Sequence, residues 1–241
     1  MKNFIYIISI FSLAFVMVGC GEPDYPEPTP SVTTLSSKLT IIDVHPTDKR
    51  FKIRVDNRFT AKDTVRFVKA PDGKLYNTIT LAVPAGPNRN IAVTEYTGDA
   101  YIVTDRYAAT AATNNTSFIV LNGDKTVVTR VADDLVLPDP GMAKLRFFHF
   151  ANGVADLKIV NTADGTTTFS IRKFNDAKAD FARFTTIPAG TYNFEARNAN
   201  DEVIFVVNNL KLDSKGIYTL YAKGIIDGTV DLAVSYGVFK H

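Results

Sequence analysis

The stretch Phe51-Lys52-Ile53-Arg54-Val55-Asp56 alternates apolar and charged residues without a break. Successive side chains of a strand point to opposite sheet faces. This period of two therefore puts Phe51, Ile53 and Val55 on one face and the charges on the other. The same pattern recurs at 64–70, 78–83, 100–104, 117–121 and 126–131, and again at 144–150, 156–161, 167–172, 191–197, 203–207, 217–223 and 229–235. Asp72-Gly73, Asn122-Gly123, Asn152-Gly153, Asp164-Gly165 and Asp227-Gly228 fall between these runs, and such pairs tolerate the positive φ of tight turns. Helical spacing is confined to residues 176–184, where Ala177, Ala179 and Ala182 accompany Phe181 and Phe184; one short helix is predicted there.

The pattern also repeats on a larger scale. Residues 45–86 slide onto 149–190 without a gap and with nine identities in 42 positions. His45 meets His149, Asn57 meets Asn161, Thr64 meets Thr168, and Pro84-Ala85-Gly86 meets Pro188-Ala189-Gly190. Internal repetition of this kind predicts two homologous domains, at 38–137 and 143–241. The junction Leu137-Pro138-Asp139-Pro140-Gly141 is short and carries two prolines, which suits a fixed orientation better than free tumbling. About seven or eight short strands per half, with hairpin punctuation, predict an all-β chain of two tandem antiparallel β-sandwich domains, Ig-like or transthyretin-like.

The second half resembles an extracellular bacterial family described as domain of unknown function 4397. The likeness rests on Ala143-Lys144-Leu145-Arg146-Phe147-Phe148-His149 followed by Val154-Ala155-Asp156-Leu157-Lys158-Ile159, on Ile187-Pro188-Ala189-Gly190-Thr191-Tyr192, and on Ile217-Tyr218-Thr219-Leu220-Tyr221-Ala222. It departs from the family where Phe150-Ala151-Asn152-Gly153 follows His149 in place of an Ala-Ser-Pro-rich turn. The resemblance implies a β-sandwich on an exported protein and implies no activity.

The N-terminus reads as an address. Lys2 precedes a mostly apolar run from Phe4 to Val18, shorter than the roughly 20 apolar residues that span a bilayer. Met17-Val18-Gly19-Cys20 closes it and resembles a bacterial lipoprotein signal. That resemblance implies that residues 1–19 are removed and that Cys20 carries a diacylglycerol thioether and an N-acyl chain such as palmitate. Several acyl chains on one residue make attachment stable where one would be marginal. The acidic Glu22 and Asp24 resemble the surface-export signals of Bacteroidota, and an outer-membrane, surface-exposed location is the expectation. Residues 20–37, with Pro23, Pro26, Pro28 and Pro30, read as a Pro/Ser/Thr-rich tether of extended chain. Cys20 is the sole cysteine, so the chain has no disulfide framework of its own.

Composition narrows the chemistry further. With 46% hydrophobic and 22% charged residues and a net charge of +2, the chain is globular and gives no electrostatic reason to expect nucleic acid. There is no Gly-x-Ser-x-Gly elbow, no glycine-rich phosphate loop and no metal-ligand spacing, so no cofactor, metal or catalytic residue is expected. His45 and His149 read as strand-end histidines bonded to nearby loop backbone, and His241 as solvated. Asp133, Asp134 and Asp139 read as a solvated acidic linker. Tyr96, Tyr101 and Tyr107 are the remaining lead, because a tyrosine ring with a polar tip suits sugar or protein surfaces, although such residues also serve as partly buried strand positions.

The function expected is therefore a non-enzymatic, lipid-anchored envelope protein whose two sandwiches bind a glycan or an envelope protein. The alternative is a structural subunit or anchor of a surface fibre, pilin-like, and a weaker one is a hydrolase. Pilins of that kind carry a trypsin-like maturation site before a removable first strand, whereas Arg50 and Arg54 lie inside an apparent strand.

Overall fold

The structure, a computed structural model, describes residues 35–67, 77–177 and 179–241. Cys20, the apolar N-terminal run and the prolines of the tether lie outside the described residues. The first half carries β1 (Ser36–Asp43), β2 (Arg50–Val55), β3 (Arg58–Arg66), β4 (Thr78–Pro84), β5 (Gly86–Glu95), β6 (Tyr101–Ala109), β7 (Asn114–Asn122) and β8 (Lys125–Ala132). The second carries β9 (Met142–His149), β10 (Leu157–Asn161), β11 (Thr167–Arg172), β12 (Thr185–Pro188), β13 (Gly190–Arg197), β14 (Val203–Leu212), β15 (Ile217–Lys223) and β16 (Ser235–Lys240). One helical turn, α1 (Ala179–Ala182), precedes β12.

These strands form four four-stranded sheets, ordered β4-β1-β7-β8 and β3-β2-β5-β6 in the first half and β12-β9-β15-β16 and β11-β10-β13-β14 in the second. The order is the same in both halves, so the chain is two tandem β-sandwiches of one topology. Every pairing is antiparallel except β1 with β7 and β9 with β15, which are parallel. The exception arises because the first strand of each half inserts between two later ones instead of ending in a hairpin with either.

Each sandwich has its own core. Leu39 and Ile41 of β1 meet Phe51, Ile53 and Val55 of β2 and Ile91 and Val93 of β5. Leu145 and Phe147 of β9 meet Leu157 and Ile159 of β10 and Phe194 of β13. A third core lies between the sandwiches. Ile42, Val44, Phe118, Val120 and Val131 of the first pack on Phe148, Phe150 and Tyr221 of the second. The β1 and β9 sheets therefore stack face to face as the middle of four layers, and all described residues belong to one compact unit, Thr34–His241. Strands buried on both faces lose the alternation of one-sided strands; all seven residues of β15 are buried.

Several strands depart from the sequence reading. β1 begins at Ser36, two residues inside the stretch assigned to the tether, and Ser37 is fully buried. β1, β5 and β12 were not anticipated as strands. The strand expected at 229–235 lies instead at Ser235–Lys240. Residues 229–233 turn back on themselves, with the amides of Leu232 and Ala233 bonded to the Thr229 carbonyl. That turn is fixed by Gly224, whose φ is +101° and whose missing Cβ leaves room for the Ala233 carbonyl 2.3 Å from where it would sit.

The gapless repeat holds from β2 to β5 but not at the histidines. Both β1 and β9 end beside their parallel partner, Asp43 opposite Ile119 and His149 opposite Ala222. Asp43 thus holds the place of His149, and His45 lies two residues beyond it, in the segment leading to β2.

Candidate ligand-binding face

The three tyrosines do not share one surface. Tyr107 on β6 is 6% exposed and packs into the first core, with the Arg130 guanidinium 4.2 Å from its ring centre. Strand parity explains this, because Val103, Tyr107 and Ala109 point inward together. Tyr107 is structural, contrary to its assignment as a binding residue. Tyr96 and Tyr101 are 47% and 48% exposed, and flank the outer face of the β3-β2-β5-β6 sheet.

That face is basic. The residues alternating with Phe51, Ile53 and Val55 are Arg50, Lys52 and Arg54, so the period that builds the core also aligns three cations outward. Arg50 lies 4.6 Å and Lys52 5.5 Å from the Tyr96 ring centre, and Arg54 lies 5.6 Å from that of Tyr101. The Tyr101 hydroxyl donates to Asn57 Oδ1 at 3.0 Å. Asp99, in the loop between β5 and β6, is shared by Arg54 at 2.8 Å and Lys52 at 4.0 Å. Arg66 on β3 stands directly across from Arg50. Arg106 on β6 lies across from Asn90. Arg50 and Arg66 line a recess of about 270 Å³ with Tyr96, Thr97, Asp48 and the ion-paired Lys49 and Glu95. Arg106 lines a second recess of about 340 Å³ with Asp56, Asn57 and Asn90.

The matching outer sheet of the second sandwich is charge-balanced. Lys158 pairs with Asp201 at 2.7 Å, and Arg197 pairs with Glu195 at 2.6 Å.

A larger recess, about 730 Å³, lies between the sandwiches, where Arg130, Asp133 and Asp134 face Ala179, Arg183 and Phe184. Its acids are engaged within the protein. Asp134 pairs with Lys144 at 3.0 Å, which with the Val136 amide holds its carboxyl below the usual range. Asp133 is not the solvated linker residue expected, because it is buried against Arg146 at 2.6 Å and accepts a bond from Thr116 at 2.8 Å.

The histidines are likewise structural. His149 Nε2 lies 3.1 Å from the Ala155 carbonyl and its Nδ1 accepts the Ala151 amide at 3.3 Å, and burial lowers its pKa. His45 packs edge-on against Phe51, but its buried Nδ1 has no hydrogen-bond partner among the described residues, unlike the backbone-bonded histidine expected, and burial lowers its pKa. His241 is not solvated. Its side chain is 3% exposed, with Nε2 2.8 Å from Thr219 Oγ1, and burial pushes its pKa down to about 4. Among the described residues no three His, Cys, Asp or Glu side chains converge as a metal-ligand set.

No family model matches the chain, and no curated protein does. Among solved structures it is similar to the Bacillus anthracis TIE protein, at 13% identity and a TM-score of 0.22 over 80% of this chain. The match spans 33% of that protein's length. It is also similar to a putative cell adhesion protein from Bacteroides ovatus, at 11% identity and a TM-score of 0.22, over 85% of this chain and 95% of the other.

Sequence reasoning missed Arg50, Arg66 and Arg106 as parts of a site. The outward half of the alternation in 51–56 points to Lys52 and Arg54, and by parity to Arg50, whereas Arg66 and Arg106 join them only through the strand register.

Proposed function

We propose that this is a non-enzymatic, lipid-anchored protein of the bacterial envelope, held by Cys20 in the outer membrane, that presents the outer sheet of its first sandwich to a glycan or an envelope protein. The observation that supports it is the pair of half-exposed tyrosines, Tyr96 and Tyr101, flanking a sheet face of outward cations. Rings with polar tips beside guanidinium groups offer both stacking and hydrogen bonding to a partner surface.

The fibre-subunit reading draws less support. β1 is bonded on both sides, to β4 and β7, and feeds both its own core and the core between the sandwiches. Cleavage after Arg50 or Arg54 would remove it and open both cores.

The test combines two measurements. Cells fed a clickable palmitate analogue should label the protein, and Cys20→Ala should abolish the label. Glycan arrays and envelope pull-downs with the full mature chain in detergent should yield a partner that Tyr96→Ala with Tyr101→Ala releases. A mature chain that starts after an arginine, or a partner retained by that double variant, would count against the proposal.

A further inference from the structure

The outer sheet of the first sandwich carries an electrostatic conflict. Arg50 and Arg66 are cross-strand neighbours on the same face, and like charges placed directly opposite one another destabilise a sheet. Among the described residues neither has a carboxylate within ion-pair reach, and the Nε of Arg66 is buried without a hydrogen-bond partner. Lys52 and Arg54 continue the same row, and Arg106 extends it on β6. Among the described residues the ion-paired carboxylates on or beside this face are Asp99, shared by Lys52 and Arg54, Glu95, paired with Lys49, and Asp56, paired with Arg89; none of them pairs with Arg50 or Arg66. An anion brought from outside would relieve the repulsion and satisfy the buried donor.

We infer that this face binds an acidic polysaccharide, with the anionic group of one sugar seated in the recess against Arg50 and Arg66 beside the Tyr96 ring. The inference rests on the binding-face reading above and names its ligand class. The recess, at about 270 Å³, is small beside ordinary ligand pockets, so it takes one sugar unit or its anionic substituent. Guanidinium forks match carboxylate and sulfate oxygens bidentately, which ammonium groups cannot. Outward residues on one strand recur about every 6.6 Å, so Arg50, Lys52 and Arg54 span roughly 13 Å. A lone small anion reaches one of them; a polymer with repeated charges reaches the row. The second sandwich, whose outer cations are already paired, provides the internal comparison.

The experiment uses the full mature chain in detergent, titrated with polygalacturonate, with neutral galactan and with single-stranded DNA of similar length. Polygalacturonate should bind at least tenfold more tightly than galactan or DNA. Its affinity should fall at 0.5 M salt, where screening shortens the reach of surface charges. Arg50→Ala with Arg66→Ala should weaken binding at least tenfold, while Lys158→Ala with Arg197→Ala should leave it unchanged. Arg50→Gln with Arg66→Gln keeps most of each stem and should show the same loss if the alanine pair fails to fold. Unchanged binding in a folded double variant, or DNA bound as tightly as polygalacturonate, overturns the inference. Galactan bound as tightly as polygalacturonate, and released by Tyr96→Ala with Tyr101→Ala, overturns the acidic ligand but keeps the binding face. Absence of any glycan or protein ligand overturns both.

Discussion

The guanidinium of Arg146 on β9 meets the carboxylate of Asp133, just beyond β8, at 2.6 Å, with both side chains almost wholly shielded from water. The pair joins the two sandwiches. Arg146 also donates to Thr219 Oγ1 at 2.9 Å and to the Ala182 carbonyl at 3.2 Å, and lies between the rings of Phe148 and Phe184. Burial lowers the pKa of Arg146, and the charge of Asp133 opposes that shift. Removing one member strands a buried charge, which costs about 3–5 kcal/mol, whereas replacing both with apolar groups is often neutral. Asp133→Ala should therefore lower the urea midpoint strongly, and Arg146→Met combined with Asp133→Leu should recover most of it. Equal losses in the single and double variants would rule this account out.

Phe118 sits where four rings meet, with centres 5.4 Å from Phe148, 4.5 Å from Phe150 and 5.9 Å from Tyr221. Truncating a buried phenylalanine costs about 3–5 kcal/mol. Because this core is shared, Phe118→Ala should destabilise both sandwiches, and the native protein should melt in a single calorimetric transition. Two well-separated transitions in the unmutated protein would show that the sandwiches are energetically independent.

Asp43 is wholly buried, and burial raises its carboxyl to about 8, against the opposing pull of the His45 amide and of Lys223 across the interface. Between its unfolded value near 3.8 and about 8 the folded state holds a proton that the unfolded chain does not. Stability from this group is present at acid pH and declines as pH rises, by up to about 1.4 kcal/mol per pH unit. Asp43→Asn should be less sensitive over pH 5–8 in urea unfolding; parallel profiles for the two proteins would disprove the assignment.

His241 works in the opposite direction. Its folded pKa near 4 lies below the unfolded 6.5, so the unfolded chain takes up a proton first and stability falls as pH drops through that interval. His241→Gln, which keeps a polar group facing Thr219, should flatten the acid limb between pH 6.5 and 4.5. The expected readout is a smaller loss of melting temperature than in the unmutated protein; an identical acid limb would refute it.

Strands with one wet face were the readable part of the sequence. Phe51–Val55 alternates because one side meets core and the other solvent, and its inward residues fall where expected. The stacking of the sandwiches was hidden by the same rule. In 144–150 the alternation sends Arg146 and Phe148 away from the second core, which is correct, but the space on that side is the other sandwich and not water. The unbroken apolar run Phe147-Phe148 and the apolar residues at both parities of 217–222 were the accessible signs of two-sided burial. Tyr107 and Asp133 were misplaced for a related reason. Each has an ordinary surface composition around it, and only the pairing register shows which way it points.

One consequence follows from the position of β1. It is the first described strand after the proline-rich segment, and it is held along its length by β4 on one edge and β7 on the other. The inter-strand bonds to β4 run across the strand direction. A mechanical load arriving through residues before Ser36 would be directed along β1 and would strain both rows of bonds together. A hairpin pulled from its open end would instead release its bonds one after another. The strand nearest the proposed anchor is thus set in shear, and the sandwich it leads into should resist traction better than its thermal stability alone would suggest, which constant-velocity pulling of the full chain would measure.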